Sequence, residues 1–170
     1  MSIGNKPVDD GNYLFTPEEK AKFLDAEPKA KQFFHRWYGS REFIRGTERW
    51  VMWLGATKAA ELQDMPKVIE RVNAVRKFRE NSKSAPTRKV AETPTRFHVQ
   101  CIPEGSSLLI PQVSSERRRY IPIGYLEPET LASDKVRLIP EATKYHFGVL
   151  HSRLHNAWMR VVGVRLKSDY

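Results

Sequence analysis

The chain has 170 residues, 40% of them hydrophobic and 11% aromatic, and a formal net charge of +9. That length and apolar content suit one domain with a real core and exclude a wholly disordered chain. A positive excess of this size speaks to partners, phosphate polyanions or anionic surfaces, and excludes no fold.

Cys101 is the single cysteine, so neither an internal disulfide nor a cysteine-rich zinc site can form within the chain. The opening Met1-Ser2-Ile3-Gly4-Asn5-Lys6-Pro7 lacks the apolar stretch of a signal peptide, and no apolar run approaches the ~20 residues of a membrane span. A cytoplasmic location without a membrane partner is the expectation.

Residues 1–12 read as a flexible leader, and 13–170 as one domain. Thr16-Pro17-Glu18-Glu19 is a helix start: Thr16 can cap, Pro17 suits the first helical position and Glu19 can close a capping box. Pro28 restarts a second short helix, predicted to run through Phe33, Phe34 and Trp37 and to end near Gly39. Arg49 to Leu54 reads as a buried strand. Pro66 opens the clearest helix, with Val68, Val72, Val75 and Phe78 on one stripe and Arg71, Arg76, Lys77 and Arg79 mainly elsewhere. Ser82 to Pro94 reads as a connector.

Short strands are then expected at Phe97–Ile102, Ser107–Ile110, Tyr120–Tyr125 and Val136–Ile139, cut short by Pro103, Pro111, Pro122, Pro128 and Pro140. Last comes a helix from about Tyr145 to Val162, with Phe147, Leu150, Leu154, Trp158 and Val161 on one face. The expected class is α+β: N-terminal helices, a central, largely antiparallel sheet of short proline-punctuated strands, and a C-terminal amphipathic helix.

Catalytic motifs are missing. The chain has no Gly-x-Gly-x-x-Gly, no Walker loop, no Gly-x-Ser-x-Gly and no Pro-Pro pair such as a DNA methyltransferase catalytic motif requires. His151 and His155 are spaced i, i+4, yet Ser152 stands where the zinc-protease pattern needs Glu, so a polar helix face is the simpler reading. Asp9 and Asp10 followed by Glu18-Glu19-Lys20 faintly resemble a nuclease arrangement, but the capping box explains the same glutamates. Cys101 reads as a small core residue. The chain is therefore expected not to be an enzyme by itself.

The cations cluster. Lys67, Arg71, Arg76, Lys77, Arg79, Lys83, Arg88, Lys89 and Arg96 face only Glu70, Glu80 and Glu92 over residues 67–96. Arg117-Arg118-Arg119 form a second group. Lys144 to Lys167, with Arg153, Arg160 and Arg165, form a third. A single cluster is usually a solvated face; three in so basic a chain favour a nucleic acid, bound with steep salt dependence. Composition does not separate DNA from RNA, and a basic surface for an acidic protein partner stays open at this point.

Specific strings narrow the choice. Gly39-Ser40-Arg41-Glu42-Phe43-Ile44, Thr87-Arg88-Lys89, Ile110-Pro111-Gln112-Val113-Ser114-Ser115-Glu116-Arg117-Arg118 and Tyr120-Ile121-Pro122-Ile123-Gly124 resemble blocks of the target recognition domain in MmeI-like restriction-modification enzymes. So do Tyr145-His146-Phe147-Gly148-Val149-Leu150, His155-Asn156-Ala157-Trp158-Met159-Arg160 and Arg165-Leu166-Lys167-Ser168-Asp169-Tyr170. The resemblance implies a double-stranded DNA recognition module of a larger polypeptide, which adds an endonuclease, a helical connector and an adenine methyltransferase. Within that polypeptide, S-adenosylmethionine is the methyl donor and magnesium the expected nuclease metal. The resemblance further implies that the chain is a C-terminally truncated fragment without a cofactor of its own.

Recognition needs backbone grip and base reading. Grip is expected from Arg88, Lys89, Arg117, Arg118 and Arg165, with Ser114 and Ser115 as hydroxyl donors. Lysine can donate to guanine and aspartate can accept from the cytosine amino group, so Lys167 and Asp169 could read one G·C pair between them. The resemblance marks that pair, and Lys135 after Ser133-Asp134, as positions where such enzymes vary the recognised base pair.

Overall fold

A computed structural model gives the architecture and describes residues 1–163. In chain order the elements are β1 (Ser2–Ile3), β2 (Leu14–Phe15), α1 (Pro17–Ala26), a 3-10 helix (Pro28–Phe33), β3 (Phe34–Tyr38), α2 (Ser40–Arg45), β4 (Trp50–Met52), α3 (Ala59–Leu62), α4 (Pro66–Glu80) and α5 (Ala85–Lys89). A second 3-10 helix (Val90–Glu92) precedes β5 (Ser107–Pro111), β6 (Gly124–Leu126), β7 (Leu131–Ala132), β8 (Val136–Pro140), α6 (Lys144–Leu150) and α7 (Arg153–Val162). The α+β class holds. The described residues form two compact units: one takes residues 1–4, 38–46 and 101–163, the other 5–37 and 47–100. The two units are interleaved in sequence.

The unit containing the C-terminal half is built on an antiparallel sheet in the order β1-β8-β5-β6. Period-two alternation puts Leu109, Leu126, Val136 and Leu138 into one buried cluster with Ala132, and Tyr38, Phe43 and Cys101 pack against it. Cys101 is the small packing residue the sequence suggested, its Sγ 3.1 Å from Ser2 Oγ. Gly124 is required by close approach: a Cβ there would lie 2.8 Å from the Phe43 ring.

The other unit pairs β2, β4 and β3, all antiparallel. Phe15, Phe23 and Phe34 meet edge to face with centroids 5.0–5.8 Å apart. The Thr16 capping box forms as read: Thr16 Oγ1 accepts from Glu19 N at 3.2 Å, and Glu19 Oε2 accepts from Thr16 N at 2.8 Å. α4 has no side-chain cap of its own. Buried Glu27 supplies one from outside, its Oε2 accepting from Lys67 N (2.5 Å) and Val68 N (3.2 Å).

Val68, Val72 and Val75 are buried as the stripe predicts, but Phe78 is not, and its neighbour Arg79 is. Arg79 has no exposed surface and donates to five carbonyls: Val8 (3.0 Å), Val90 (2.8 Å), Thr93 (3.0 Å), Pro7 (2.8 Å) and Arg96 (2.9 Å). The guanidinium fork thereby bonds backbone acceptors from residues 7–8, from the second 3-10 helix with the residue after it, and from Arg96.

This explains why residues 1–12 are not a loose leader. Ser2 and Ile3 pair with β8, Lys6 bridges to Val99, and Pro7 and Val8 hold Arg79. Asn5 and Asp9 are buried, and the Asp9 carboxylate accepts from Tyr13 N at 2.7 Å. Burial raises the Asp9 pKa above the ordinary carboxylate value, with the Tyr13 N–H and Arg79 pulling the other way.

Other expectations change as well. The second helix stops at Phe33 as a 3-10 turn, because Phe34, His35 and Arg36 pair with β4. Residues 97–102 make only the Lys6–Val99 bridge. The strand expected at Tyr120–Tyr125 shrinks to β6, and the connector folds into α5. The C-terminal helix breaks at His151–Ser152, where Ser152 Oγ caps α7 by accepting from His155 N at 3.1 Å. Its apolar stripe is no core face: Leu154, Trp158 and Val161 are 82%, 57% and 85% exposed.

Candidate nucleic-acid interface

Two segments follow from the β5–β8 pairing. Pro111 stands opposite Val136, so the loop leaving β5 (residues 112–123) and the turn entering β8 (133–135) emerge at the same end of the sheet. They are bonded together there. Gln112 N donates to Lys135 O (3.3 Å), and Gln112 Nε2 to Asp134 O (2.7 Å). Ser40 Oγ, in the first turn of α2, donates to Lys135 O at 2.7 Å, and Ser133 Oγ accepts from Lys135 N at 3.2 Å. The backbone of the turn is therefore fixed while the Lys135 side chain is exposed, 3.7 Å from the Asp134 carboxylate. An exposed pair of this kind is worth little by itself and leaves the ammonium available.

The loop carries Arg117, Arg118 and Arg119 and is held from the other side by α7. Arg160 Nη2 donates to Arg118 O (2.6 Å) and Arg119 O (2.9 Å). Buried Asn156, one turn earlier, accepts from Ile121 N at 2.8 Å and donates to Ser152 O at 2.9 Å. Tyr120, His151, Phe147 and Tyr125 form a stack with successive centroids 4.9, 5.2 and 6.0 Å apart. Loop backbone is thus spent on the fold while Arg117 and Arg119 stand exposed and Arg118 half-buried.

The serines separate. Ser114 is buried, and its Oγ reaches no partner among the described residues. Ser115 is half-buried, with Arg117 N donating to its Oγ at 3.4 Å.

Arg88 and Lys89 belong to the other unit, exposed at the end of α5. Arg88 Nη1 already donates to Ser82 O (2.8 Å) and Lys83 O (3.0 Å), so part of that guanidinium holds the turn after α4. Arg165, Lys167 and Asp169 lie outside the described residues. His155 Nδ1 lies 2.9 Å from Leu150 O, and His151 sits in the ring stack. Among the described residues no group of three metal-ligating side chains exists, and no helix is long and apolar enough to cross a membrane.

Sequence reasoning missed the roles of Ser40, Gln112 and Asn156, and counted Arg160 only among the cations of the third cluster. The i, i+4 spacing of Asn156 and Arg160 was a visible signal, since it puts both on one helix face. Nothing local marks Ser40 or Gln112, whose partners are 95 and 22 residues away.

A pinned turn offering a lysine, beside a clamped loop offering arginines, is equipment for holding and reading a polyanion, the class of a nucleic-acid recognition module. The sequence matches the family described as "MmeI, target recognition domain" across residues 1–170, and the chain belongs to that family. Over its full length it is 36% identical to DNA methyltransferase A of Bacillus subtilis (strain 168), covering 19% of that protein. The fold matches the type IIL restriction-modification enzyme MmeI, solved in complex with DNA, at a TM-score of 0.96 and 45% identity. That match covers 99% of this chain and 23% of MmeI, so the chain spans about a fifth of the relatives' length.

Proposed function

We propose that this chain is the duplex-DNA recognition domain of a restriction-modification adenine methyltransferase. The observation that carries the reading is the near-complete structural match, at 45% identity, to an enzyme solved with DNA. In this reading Lys135, Lys167 and Asp169 address base edges. Arg117, Arg118, Ser115 and Arg165 contact phosphates, with Arg88 and Lys89 as further contacts in the other unit. The methyltransferase, helical connector and nuclease are other domains of the same polypeptide. S-adenosylmethionine and magnesium would serve those domains, and no step involving them falls to the residues described here. The adenine to be methylated must leave the duplex; this domain's part is to hold the flanking DNA in register.

The experiment is a binding and methylation profile of the full-length protein carrying Lys167→Glu with Asp169→Arg. The expected outcome is a changed preference at one base pair, by about 1–3 kcal/mol of discrimination, with overall binding retained. An unchanged profile counts against the reading pair. Equal affinity for duplex RNA, or no duplex binding at all, counts against the function itself.

A further inference from the structure

One face of α7 carries Arg153, Asn156, Ala157 and Arg160 at the i, i+3, i+4 and i+7 spacing of a single helical stripe. Arg119 and Tyr120, from the loop that α7 holds, line a cleft of about 180 Å³ together with that face. Three arginines therefore border one cleft, and its lining includes no aspartate or glutamate. The volume is below the ~300 Å³ at which pockets for drug-sized ligands begin, so it suits a small anionic group.

The cleft is built around donors. Arg160 Nη2 is fixed by Arg118 O (2.6 Å) and Arg119 O (2.9 Å), while its Nε and Nη1 take no acceptor among the described residues. Arg119 Cζ lies 5.5 Å from the centroid of the Tyr120 ring, which is itself stacked on His151. Asn156 uses its oxygen on Ile121 N and its nitrogen on Ser152 O, which leaves the guanidinium N–H groups as the main chemistry of the cleft. Arg153 is exposed in the first turn of α7, and among the described residues no carboxylate pairs with it. A cation at a helix N-terminus opposes the helix dipole, so the fold gains nothing from its charge there. An anion at the same place is favoured by the dipole and by the guanidinium alike.

We infer that Arg119, Arg153 and Arg160 form a seat for one phosphate of the DNA backbone, which fixes register and reads no base. The inference rests on the DNA-binding reading above. Each phosphate neutralised adds about 0.9 to the slope of log K against log salt.

The test uses the full-length protein and a duplex target carrying a neutral methylphosphonate at one backbone position at a time. Arg160 is left in place because it also holds the loop. Arg119→Gln with Arg153→Gln should make the salt slope shallower by about 0.9 and keep the preferred site. At one backbone position, the methylphosphonate should weaken the unaltered protein and have no further effect on this variant. Arg119→Lys with Arg153→Lys should keep the slope, which separates lost charge from lost folding. A glutamine variant with the full slope and the same sensitive positions overturns the seat and leaves the proposed function standing. An equal loss of slope in Lys22→Gln with Lys77→Gln, in the other unit, would trace the effect to net charge and also overturn it. Absence of duplex binding by the unaltered protein overturns the function and the seat together.

Discussion

Arg79 and the Arg117–Arg119 loop are both arginine-rich features of a basic chain, yet their side chains end in opposite environments. Arg79 lies on the buried side of α4 and gives five N–H bonds to backbone carbonyls. In the loop the relation is inverted: the backbone is held by Arg160 and Asn156, while Arg117 and Arg119 stand exposed and Arg118 is half-buried. One arginine organises backbone; the others are organised by it. Positive charge in a sequence is therefore not a count of available phosphate contacts, and burial decides which cations can meet a ligand.

The sharpest way to break this comparison is Arg79→Met. Methionine keeps much of the bulk but takes the donor from the Pro7, Val8 and Arg96 carbonyls, while those of Val90 and Thr93 keep backbone donors; each group left unsatisfied costs roughly 1–3 kcal/mol. A loss of at least about 3 kcal/mol is expected in urea unfolding, and Arg79→Lys should rescue little, since an ammonium cannot reproduce the fork. A loss below about 1 kcal/mol would mean the network is incidental.

Arg117→Gln with Arg118→Gln should do the reverse. Stability should stay within about 0.5 kcal/mol, while the salt dependence of duplex binding flattens by about 1.8 and site preference is kept. Equilibrium unfolding and binding titrations on the same protein would separate the two.

The smallest effect concerns Asp9, beside the Arg79 network. Its folded pKa is raised by burial, so its contribution to stability is fullest below the unfolded carboxylate value and is lost as pH rises through the folded pKa. At neutral pH the ionised form is held at a cost. Asp9→Asn keeps an acceptor for Tyr13 N and should therefore gain stability at pH 7, with the gain shrinking on acidification. Thermal unfolding across that range checks the sign, and a loss at pH 7 would show that Arg79 outweighs burial.

Much of the fold was legible where one segment settles its own state. The Thr16 capping box, α4 with Val68, Val72 and Val75, and strands β5 and β8 follow from side-chain chemistry and period within a few residues. Legibility failed where distant segments compete for a backbone. Phe33, Phe34 and Trp37 have helical spacing, yet β4 offers Phe34 to Arg36 a ladder. The first twelve residues look polar and loose, yet Arg79, about seventy positions on, needs their carbonyls.

The candidate interface divides in the same way. Arg117, Arg118 and Lys135 are surface cations that sequence alone could nominate. Their fixed backbone depends on Gln112, Ser40, Arg160 and Asn156, which only the tertiary structure brings to them. By itself the +9 charge narrowed the partner to an anionic one and the recognition strings narrowed it further, because net charge and local chemistry are properties of the chain. Which cations are free to meet that partner, and which are consumed in building the scaffold, was decided by the tertiary structure, because desolvation and hydrogen-bond satisfaction depend on contacts between residues far apart in sequence.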